Sequence, residues 1–428
     1  MAVLDAVKAS RRMTVERWMG VAYIFSVALS PLGPVIHYSL WGLCLLLLIW
    51  NVLVNDASLF LSGLGKRGRT ALWLLWMALF WSMGAALFSY TNLHAWGKNV
   101  TVLFEVWWGC YLAARTLSSD ESRDRFLTVF VTASAVIAAL NLLRFAGSFP
   151  WIPNHVLEHG NSLGCLALLL LPPMVGYALW ALEGKWLLQV AVIMPTCLLL
   201  IFSCSSGAWL SGALGLLVLI GYALRVKKLK WRTCLIGVLI LLLALPVGNR
   251  LSSGKIEHKI MREVRQITAV HDVRKLTSNR NEVWTAAWHI LKLSPIKGWG
   301  GALFYDMYKA LLDFEGERLG LTRRYLNDHP HSTYLYLAYI GGLPALVLFL
   351  TAIILLLVKS VKLAARERDA LFPWGVVCVA LLVEILTYGT NGDVLQGRRD
   401  ISVLVWCFLG VLVALPELLP ERKEQAKD

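Results

Sequence analysis

The chain has 428 residues, of which 57% are hydrophobic and 16% are charged, and its mean hydropathy is +0.62. A soluble globular domain carries about 25% charged residues, so this composition excludes an ordinary soluble enzyme, a disordered protein and a secreted disulfide-rich domain. It indicates a polytopic membrane protein. In such a protein a formal net charge of +14 can arise from basic loops on one side of the bilayer, and it does not by itself indicate nucleic-acid binding.

About twelve apolar runs of roughly 17 residues or more predict transmembrane helices. In chain order they lie at 18–35, 37–55, 70–89, 98–115, 125–147, 161–182, 185–203, 206–224, 231–248, 332–358, 373–391 and 400–419. The first run is interrupted by Pro31 and Pro34, which are unfavourable inside a helix. The predicted fold class is an all-α polytopic membrane protein with about twelve transmembrane helices.

Lysines and arginines in the short loops determine the predicted orientation, because cytoplasmic loops carry an excess of both. One side receives most of them, including Lys8, Arg11, Arg12, Lys66, Arg67, Arg69, Arg225, Lys227 and Lys228. The short loops on the other side hold only Lys98, Arg144, Arg398 and Arg399. We therefore predict that both termini are cytoplasmic. Most of the excess positive charge is then explained by the orientation of the chain in the membrane, and no nucleic-acid partner is expected.

One long polar segment, residues 249–331, separates the predicted helices one to nine in 1–248 from helices ten to twelve and the tail in 332–428. Under the predicted orientation this segment is a periplasmic loop. It contains fourteen basic and nine acidic residues, although the positive-inside rule does not require basic residues there. The excess favours an anionic ligand such as a lipid diphosphate. The alternative is an ordinary solvated loop of mixed charge.

The loop is predicted to be largely helical. Over 256–270 an apolar stripe with helical spacing leaves Arg262 and Arg265 outside it. The stripe consists of Ile256, Ile260, Val264 and Ile267. A helix of this kind is suited to lying along a membrane surface.

A second helix in the loop is predicted over 280–293, because Asn279 and Glu282 have the spacing of a capping box. The dipeptide Ser294–Pro295 ends this helix. Arg280 lies in its first turn, where its guanidinium and the free backbone N–H groups can bind an anion. The alternative is a surface arginine beside a helix cap.

His329 and His331 end the loop, immediately before the tenth predicted helix. A histidine at a membrane surface titrates near neutral pH and can act as a general base. The alternative is a capping or interfacial histidine. Further polar side chains are predicted on the same side of the membrane, at the ends of apolar runs: Asn161, Ser206, Arg398 and Arg399.

His331–Ser332, followed after nine residues by Gly342, resembles the signature of the O-antigen ligase family. Family members share a histidine followed by Asn, Ser or Gln, then nine residues and a glycine. The last position of that signature is usually Gly, Thr or Tyr, and here it is Ala345. Upstream, Ser278–Arg280 and Ser294–Gly300 resemble the family's arginine, helix and Pro-x-x-Gly-x-Gly block. Asn161 matches a Gly-Asn element that members often carry.

The chain departs from the family at the outer end of the eighth helix. Members commonly have an arginine there, in a Ser-Arg-Gly-like element, and that arginine is thought to hold the diphosphate. Here the matching residues are Ser205, Ser206 and Gly207, so Ser206 occupies the arginine's position. Candidates to replace it are Arg280, Arg398 and Arg399.

The resemblance implies a GT-C-like glycosyltransferase in the bacterial inner membrane whose active site faces the periplasm. The implied donor is a polysaccharide on undecaprenyl diphosphate, the implied acceptor is lipid A-core, and the implied reaction is an inverting displacement without metal or cofactor. His331 is then the base and Arg280 the first diphosphate contact. The other predicted substrate-binding residues are Arg398, Arg399, Ser206, Asn161, His329 and Arg265.

Three alternatives remain from the sequence. An O-antigen polymerase would use a second lipid-linked glycan as its acceptor. A protein O-glycosyltransferase of this family usually adds a soluble C-terminal domain, and this chain stops soon after the last apolar run. A transporter or flippase would place charged residues near the midplane of several helices, whereas here the polar residues cluster at one membrane face and in one loop.

Overall fold

The computed structural model describes residues 2–61, 63–89, 93–145, 160–231, 239, 242, 245–246, 249–250, 254–268, 280–300, 304–323, 326–394 and 399–417. Every regular element in these ranges is a helix, which confirms the all-α prediction. The ninth predicted run, 231–248, lies largely outside the described residues, and so does the 269–279 stretch of the loop.

The N-terminal part of the chain forms five helices: α1 is Ala2–Ala28, α2 is Pro34–Asn55, α3 is Lys66–Ser89, α4 is Leu93–Thr116 and α5 is Asp120–Phe145. A 3₁₀ turn, Ser30–Leu32, joins α1 to α2. Helix α1 begins at Ala2, well before the first apolar run at residue 18, and the bounds of its membrane-spanning part stay a prediction. Pro34 lies in the first turn of α2, where a proline is tolerated because its missing N–H is not needed.

The rest of the described chain forms nine helices: α6 is Gly160–Trp180, α7 is Trp186–Phe202, α8 is Ser206–Arg225, α9 is Lys255–Thr268, α10 is Arg280–Leu293, α11 is Phe304–Leu319, α12 is Thr333–Ala364, α13 is Phe372–Tyr388 and α14 is Arg399–Ala414. Helices α9 and α10 confirm the helices predicted within the long polar segment. Helix α11 was not predicted individually.

Five of the described helices are long and apolar enough to cross a membrane: Val35–Asn55, Asp120–Leu142, Asn161–Trp180, Ser206–Arg225 and Thr333–Ala364. Three shorter apolar helices accompany them: Trp186–Phe202, Phe372–Tyr388 and Ile401–Ala414. These are the features of a polytopic membrane protein. The count of about twelve spans and the periplasmic position of the loop stay predictions.

The core lies where helices α6, α13 and α14 pack together. The apolar stretches 166–171, 376–382 and 401–415 are buried on all sides, and a helix that is apolar all round belongs in the interior of a bundle. By contrast, Val35, Leu46 and Leu53 of α2 are exposed, as expected for a helix that faces lipid. The polar residues of interest lie at the ends of the central helices.

Helix α12 is broken at Gly341 and Gly342, where Gly342 has φ 70° and ψ −177°. Such a break frees backbone groups that must find other partners. The segment after α10 supplies these partners: Trp299 N–H donates to the Tyr339 carbonyl at 2.7 Å and Gly300 N–H to the Ile340 carbonyl at 2.9 Å. The break at Gly342, the glycine of the histidine signature, is therefore held by backbone hydrogen bonds from the Pro-x-x-Gly-x-Gly block. We call this contact the backbone joint.

Gly342→Ala is expected to destabilise the protein. The backbone region with φ near +70° and ψ near 180° is essentially restricted to glycine and costs other residues on the order of 1–3 kcal/mol. An added Cβ would also meet the backbone of Pro295 and Ile296. The measurement is the thermal unfolding midpoint of the detergent-solubilised chain, with Gly221→Ala as the matched control because nothing lies within 4 Å of a Cβ there. Equal midpoints for the two variants would contradict the joint.

Candidate functional site

The turn after α13, residues 389–394, holds the start of α12. Thr333 N–H donates to the carbonyls of Gly389 and Gly392 at 2.9 and 3.0 Å. The Thr333 hydroxyl donates to the Gly392 carbonyl at 3.1 Å and accepts from the Val394 N–H at 3.1 Å. We call these hydrogen bonds between Thr333 and the turn the Thr333 clamp. Because His331 lies two residues before Thr333, the clamp also fixes the position of the histidine.

His331 occupies a strained and partly buried position. Its φ is +50°, a left-handed conformation that is uncommon for residues other than glycine. Its backbone N–H donates to His329 Nδ1 at 3.2 Å, and its Nε2 lies 3.3 Å from Asn327 Oδ1. The rings of His329 and His331 cross at 76° with centroids 4.0 Å apart. Strain of this kind is maintained only where the surroundings enforce it.

Electrostatics keep the His331 imidazole neutral. Burial lowers the pKa of His331 to about 4, and the neighbouring His329 and Arg280 act in the same direction, whereas Asp328 opposes them. At physiological pH one ring nitrogen therefore carries a free lone pair. A neutral imidazole next to a cation is able to accept a proton once negative charge arrives nearby.

Arg280 is the first residue of α10, and its Nη1 donates to the Asn391 carbonyl in the turn after α13. Burial lowers the pKa of Arg280, and the nearby Tyr388 and Glu263 oppose that shift. Even a lowered arginine pKa leaves the group protonated at neutral pH. Its guanidinium is therefore a partly desolvated cation, which binds an anion more strongly than an exposed arginine does.

The start of α8 adjoins the same turn. An added Cβ at Gly207 would lie 2.6 Å from Asn391 Oδ1, so the Asn391 side chain packs directly on the first turn of α8. Ser206 begins that helix, and its neighbour Ser205 donates through its hydroxyl to Asn161 Oδ1 at 3.1 Å. The Asn161 carbonyl in turn accepts from the Tyr388 hydroxyl at 3.2 Å.

These contacts bring five of the eight predicted site residues into one region. His331, His329 and Arg280 form its centre, and Ser206 and Asn161 lie at the adjoining helix starts. Asn391 joins the two halves, since its carbonyl binds Arg280 and its side chain contacts Gly207. Arg280 is thus connected, through Asn391, to the helix end at which Ser206 occupies the position of the arginine in the family's motif.

The remaining three predicted residues are not part of this group as described. Arg265 lies exposed on α9. Arg398 lies outside the described residues, and Arg399 begins α14 with its side chain outside the described part. The roles proposed for these three stay predictions.

Sequence reasoning missed Thr333, Asn391 and Tyr388 as parts of this region. One signal was present, because Asn391-Gly392 is a dipeptide typical of turns and follows an apolar run. Nothing in the local sequence indicated that this turn would bind a segment about sixty residues earlier. The Asn161 interaction with Tyr388 spans an even longer stretch of chain.

The fold and the site together define an α-helical membrane protein with a partly buried histidine and a partly buried arginine in one region at the helix ends. A family model described as O-antigen ligase matches residues 190–350. This segment contains Arg280, the block at 294–300, His331 and Gly342. The match agrees with the resemblance that the motifs carry, and it covers the part of the chain in which those motifs lie. No curated protein matches the chain.

Proposed function

We propose that the chain is a glycosyltransferase that moves O-antigen polysaccharide from undecaprenyl diphosphate to lipid A-core at the periplasmic face of the inner membrane. The observation that supports this proposal is that Arg280 lies close enough to His331 to lower the pKa of its imidazole, and that both residues lie inside the matched family segment. The reaction needs a cation for the leaving diphosphate and a neutral base for the acceptor hydroxyl. Arg280 and His331 have those two chemical properties.

The proposed reaction is a single displacement. The acceptor hydroxyl oxygen attacks the anomeric carbon of the donor while the bond from that carbon to the diphosphate oxygen breaks, which inverts the anomeric centre. The hydroxyl proton passes to His331, and the electron pair of the broken bond passes to the diphosphate. Arg280 stabilises the charge that develops on the diphosphate. The free N–H groups of the first turn of α8, beside Ser206, add a further site for the same anion.

Donor binding and the basicity of His331 should be linked. Arg280 contributes to the low pKa of His331 in the free protein, and a bound diphosphate would offset that positive charge and add negative charge of its own. The pKa of His331 should therefore rise towards neutrality when the donor binds. A base works best when its pKa is near the operating pH, so the donor itself would activate the base.

This linkage predicts two different pH profiles. Protonated His331 cannot act as a base, so activity falls as pH drops below its pKa. For kcat/KM of the donor, which reports the free protein, the acid limb is expected near pH 4; for kcat, which reports the donor complex, it is expected at higher pH. The measurement is initial transfer rate against pH at low and at saturating donor. Coincident limbs near the ordinary histidine pKa of about 6.5 would contradict the linkage.

Thr333 is proposed to be a positioning residue for His331. Thr333→Val keeps the shape of the side chain but removes both hydroxyl hydrogen bonds to the turn, and a small displacement of a reacting group can cost about 10²-fold. We expect kcat to fall by about 10–100-fold with KM for the donor nearly unchanged, whereas Thr333→Ser should restore kcat. Equal kcat values for the Val and Ser variants would show that the clamp does not position the base.

The lipopolysaccharide of a deletion strain, separated on a gel, tests the proposed acceptor. Loss of a ligase should leave lipid A-core without any O-antigen, while the polymer stays on its lipid carrier. Loss of an O-antigen polymerase should instead leave lipid A-core carrying single repeat units. A normal ladder of chain lengths in the deletion strain would contradict both functions. Complementation with wild type and with His331→Ala then connects the phenotype to the site.

A further inference from the structure

Helix α9 carries an exposed surface to which none of the reaction steps above assigns a role. The apolar side chains of Ile260, Met261 and Val264 are 37%, 48% and 48% exposed. Arg262 and Arg265 are also exposed. At 100° per residue, the two arginines form an edge that adjoins the apolar row on the side of Met261. Exposed apolar side chains in a row next to a basic edge are typical of helices that lie in a membrane interface.

The helix does not need this apolar row for its own packing. Its inward side holds Ile256, which is 1% exposed, and an ion pair of 2.6 Å between Lys259 and Glu263 with side chains that are 11% and 22% exposed. The row of Ile260, Met261 and Val264 therefore faces away from the rest of the described chain.

The position of α9 also agrees with a membrane boundary. Glu263 lies close enough to Arg280 to act on its pKa, and Arg280 binds the Asn391 carbonyl just beyond the end of α13. The apolar helix α12 begins on the same turn, through Thr333. Helix α9 is thus within electrostatic reach of the turn at which the apolar helices α12 and α13 meet. The lipid headgroups of a surrounding bilayer would lie near the ends of such apolar helices.

We propose that α9 docks on an anionic phospholipid surface, with Ile260, Met261 and Val264 inserted at the acyl boundary and Arg262 and Arg265 at the headgroup phosphates. Long arginine side chains can reach the phosphates while their stems stay in the apolar layer. Glu257 is an exposed acidic residue near the start of the helix, and Asn249 binds it through two hydrogen bonds. The Asn249 side-chain amide donates to Glu257 Oε2 at 2.9 Å, and Asn249 Oδ1 accepts from the Glu257 backbone N–H at 3.0 Å. The charge of the exposed edge matches lipid phosphates. It does not match an uncharged polyprenyl chain, nor an identical basic edge on a second copy.

Nitroxide labels at single cysteines test this docking in the full chain, after its eight native cysteines have been replaced. Labels are placed at Met261→Cys and Val264→Cys, with His258→Cys as the matched control, because the exposed His258 lies between the two arginines on the helix surface and its replacement leaves both in place. The chain is reconstituted in vesicles of phosphatidylcholine with or without phosphatidylglycerol. In the anionic vesicles, labels at 261 and 264 should collide mainly with lipid-soluble oxygen, and the label at 258 mainly with a water-soluble nickel complex.

The expected effect of charge gives a second measurement. Arg262→Gln, combined with the label at 264, should lower the ratio of docked to undocked helix about fivefold in the anionic vesicles, as expected for one basic residue at such a surface. Three results would overturn the proposal. One is equal nickel access at 258, 261 and 264 in anionic vesicles. The others are protection that does not depend on phosphatidylglycerol, and protection that appears only with added lipid-linked donor or at a higher protein-to-lipid ratio.

The docking inference does not depend on the proposed reaction. A chain that transfers no glycan in any assay can still show the predicted labelling pattern. A chain with full transfer activity can likewise fail the labelling test. The failure of one proposal is therefore distinguishable from the failure of the other.

Discussion

Removing the imidazole of His331 is expected to lower the transfer rate per folded molecule by about 10²–10⁴-fold, the usual contribution of a general base. The reason is that the neutral ring beside Arg280 is the group proposed to take the acceptor proton. Alanine is a poor replacement at φ +50°, so His331→Ala can also weaken the fold. His331→Asn avoids this, because asparagine tolerates the left-handed conformation and cannot act as a base at neutral pH.

His329→Ala is the control for this expectation. Its ring accepts the backbone N–H of His331, so its loss should loosen the turn and weaken transfer without abolishing it. The measurement is transfer rate per folded molecule in purified membranes for all three variants. Normal turnover in His331→Asn would end the catalytic claim, and the histidine would then be a structural feature of the start of α12.

Arg280→Ala is expected to lower transfer by about 10–100-fold, since a charge-assisted hydrogen bond to a charged group contributes about 1.5–3 kcal/mol. Arg280→Lys should restore activity only in part, because the ammonium cannot make the paired contacts of a guanidinium. Arg280→Ala also removes the hydrogen bond to the Asn391 carbonyl, so the amount of folded protein must be measured together with the rate.

A suitable control for Arg280 is Arg318→Ala. Arg318 pairs with Glu315 on the exposed side of α11, with 68% of its own side chain exposed, and such surface pairs contribute little. Its removal should leave transfer unchanged. Full activity in Arg280→Ala would place the diphosphate elsewhere, and Arg398 and Arg399 would be the next arginines to replace.

The parts of the structure predicted best are those with local signals. Helix α10 was predicted over 280–293 and is Arg280–Leu293, because a cap-like spacing and a proline mark its two ends. Helix α9 was predicted over 256–270 and is Lys255–Thr268, because its apolar stripe has a clear helical period. The charged N-terminal part of α1 was not predicted as helix, because a search for apolar runs passes over charged residues.

The geometry of the site could be predicted only in part. The motifs indicated His331 and Arg280, but not that Asn391 would join Arg280 to the start of α8. That link combines three segments distant in sequence, and hydrogen bonds between such segments leave no spacing pattern. For the same reason, the motif glycine Gly342 was recognised without its physical role, which became clear only from the backbone joint with the block at 294–300.

The central claim is that this chain forms a new glycosidic bond from a lipid diphosphate donor. The most direct test is a reconstituted assay with the purified full chain, undecaprenyl diphosphate-linked O-antigen and lipid A-core, in which product and released undecaprenyl diphosphate are both quantified. The prediction is that lipid A-core carrying O-antigen forms with wild type, with one undecaprenyl diphosphate released per transfer, and fails to form with His331→Asn. Folded wild-type protein that moves the donor across the vesicle membrane, but forms no new glycosidic bond, would contradict the account.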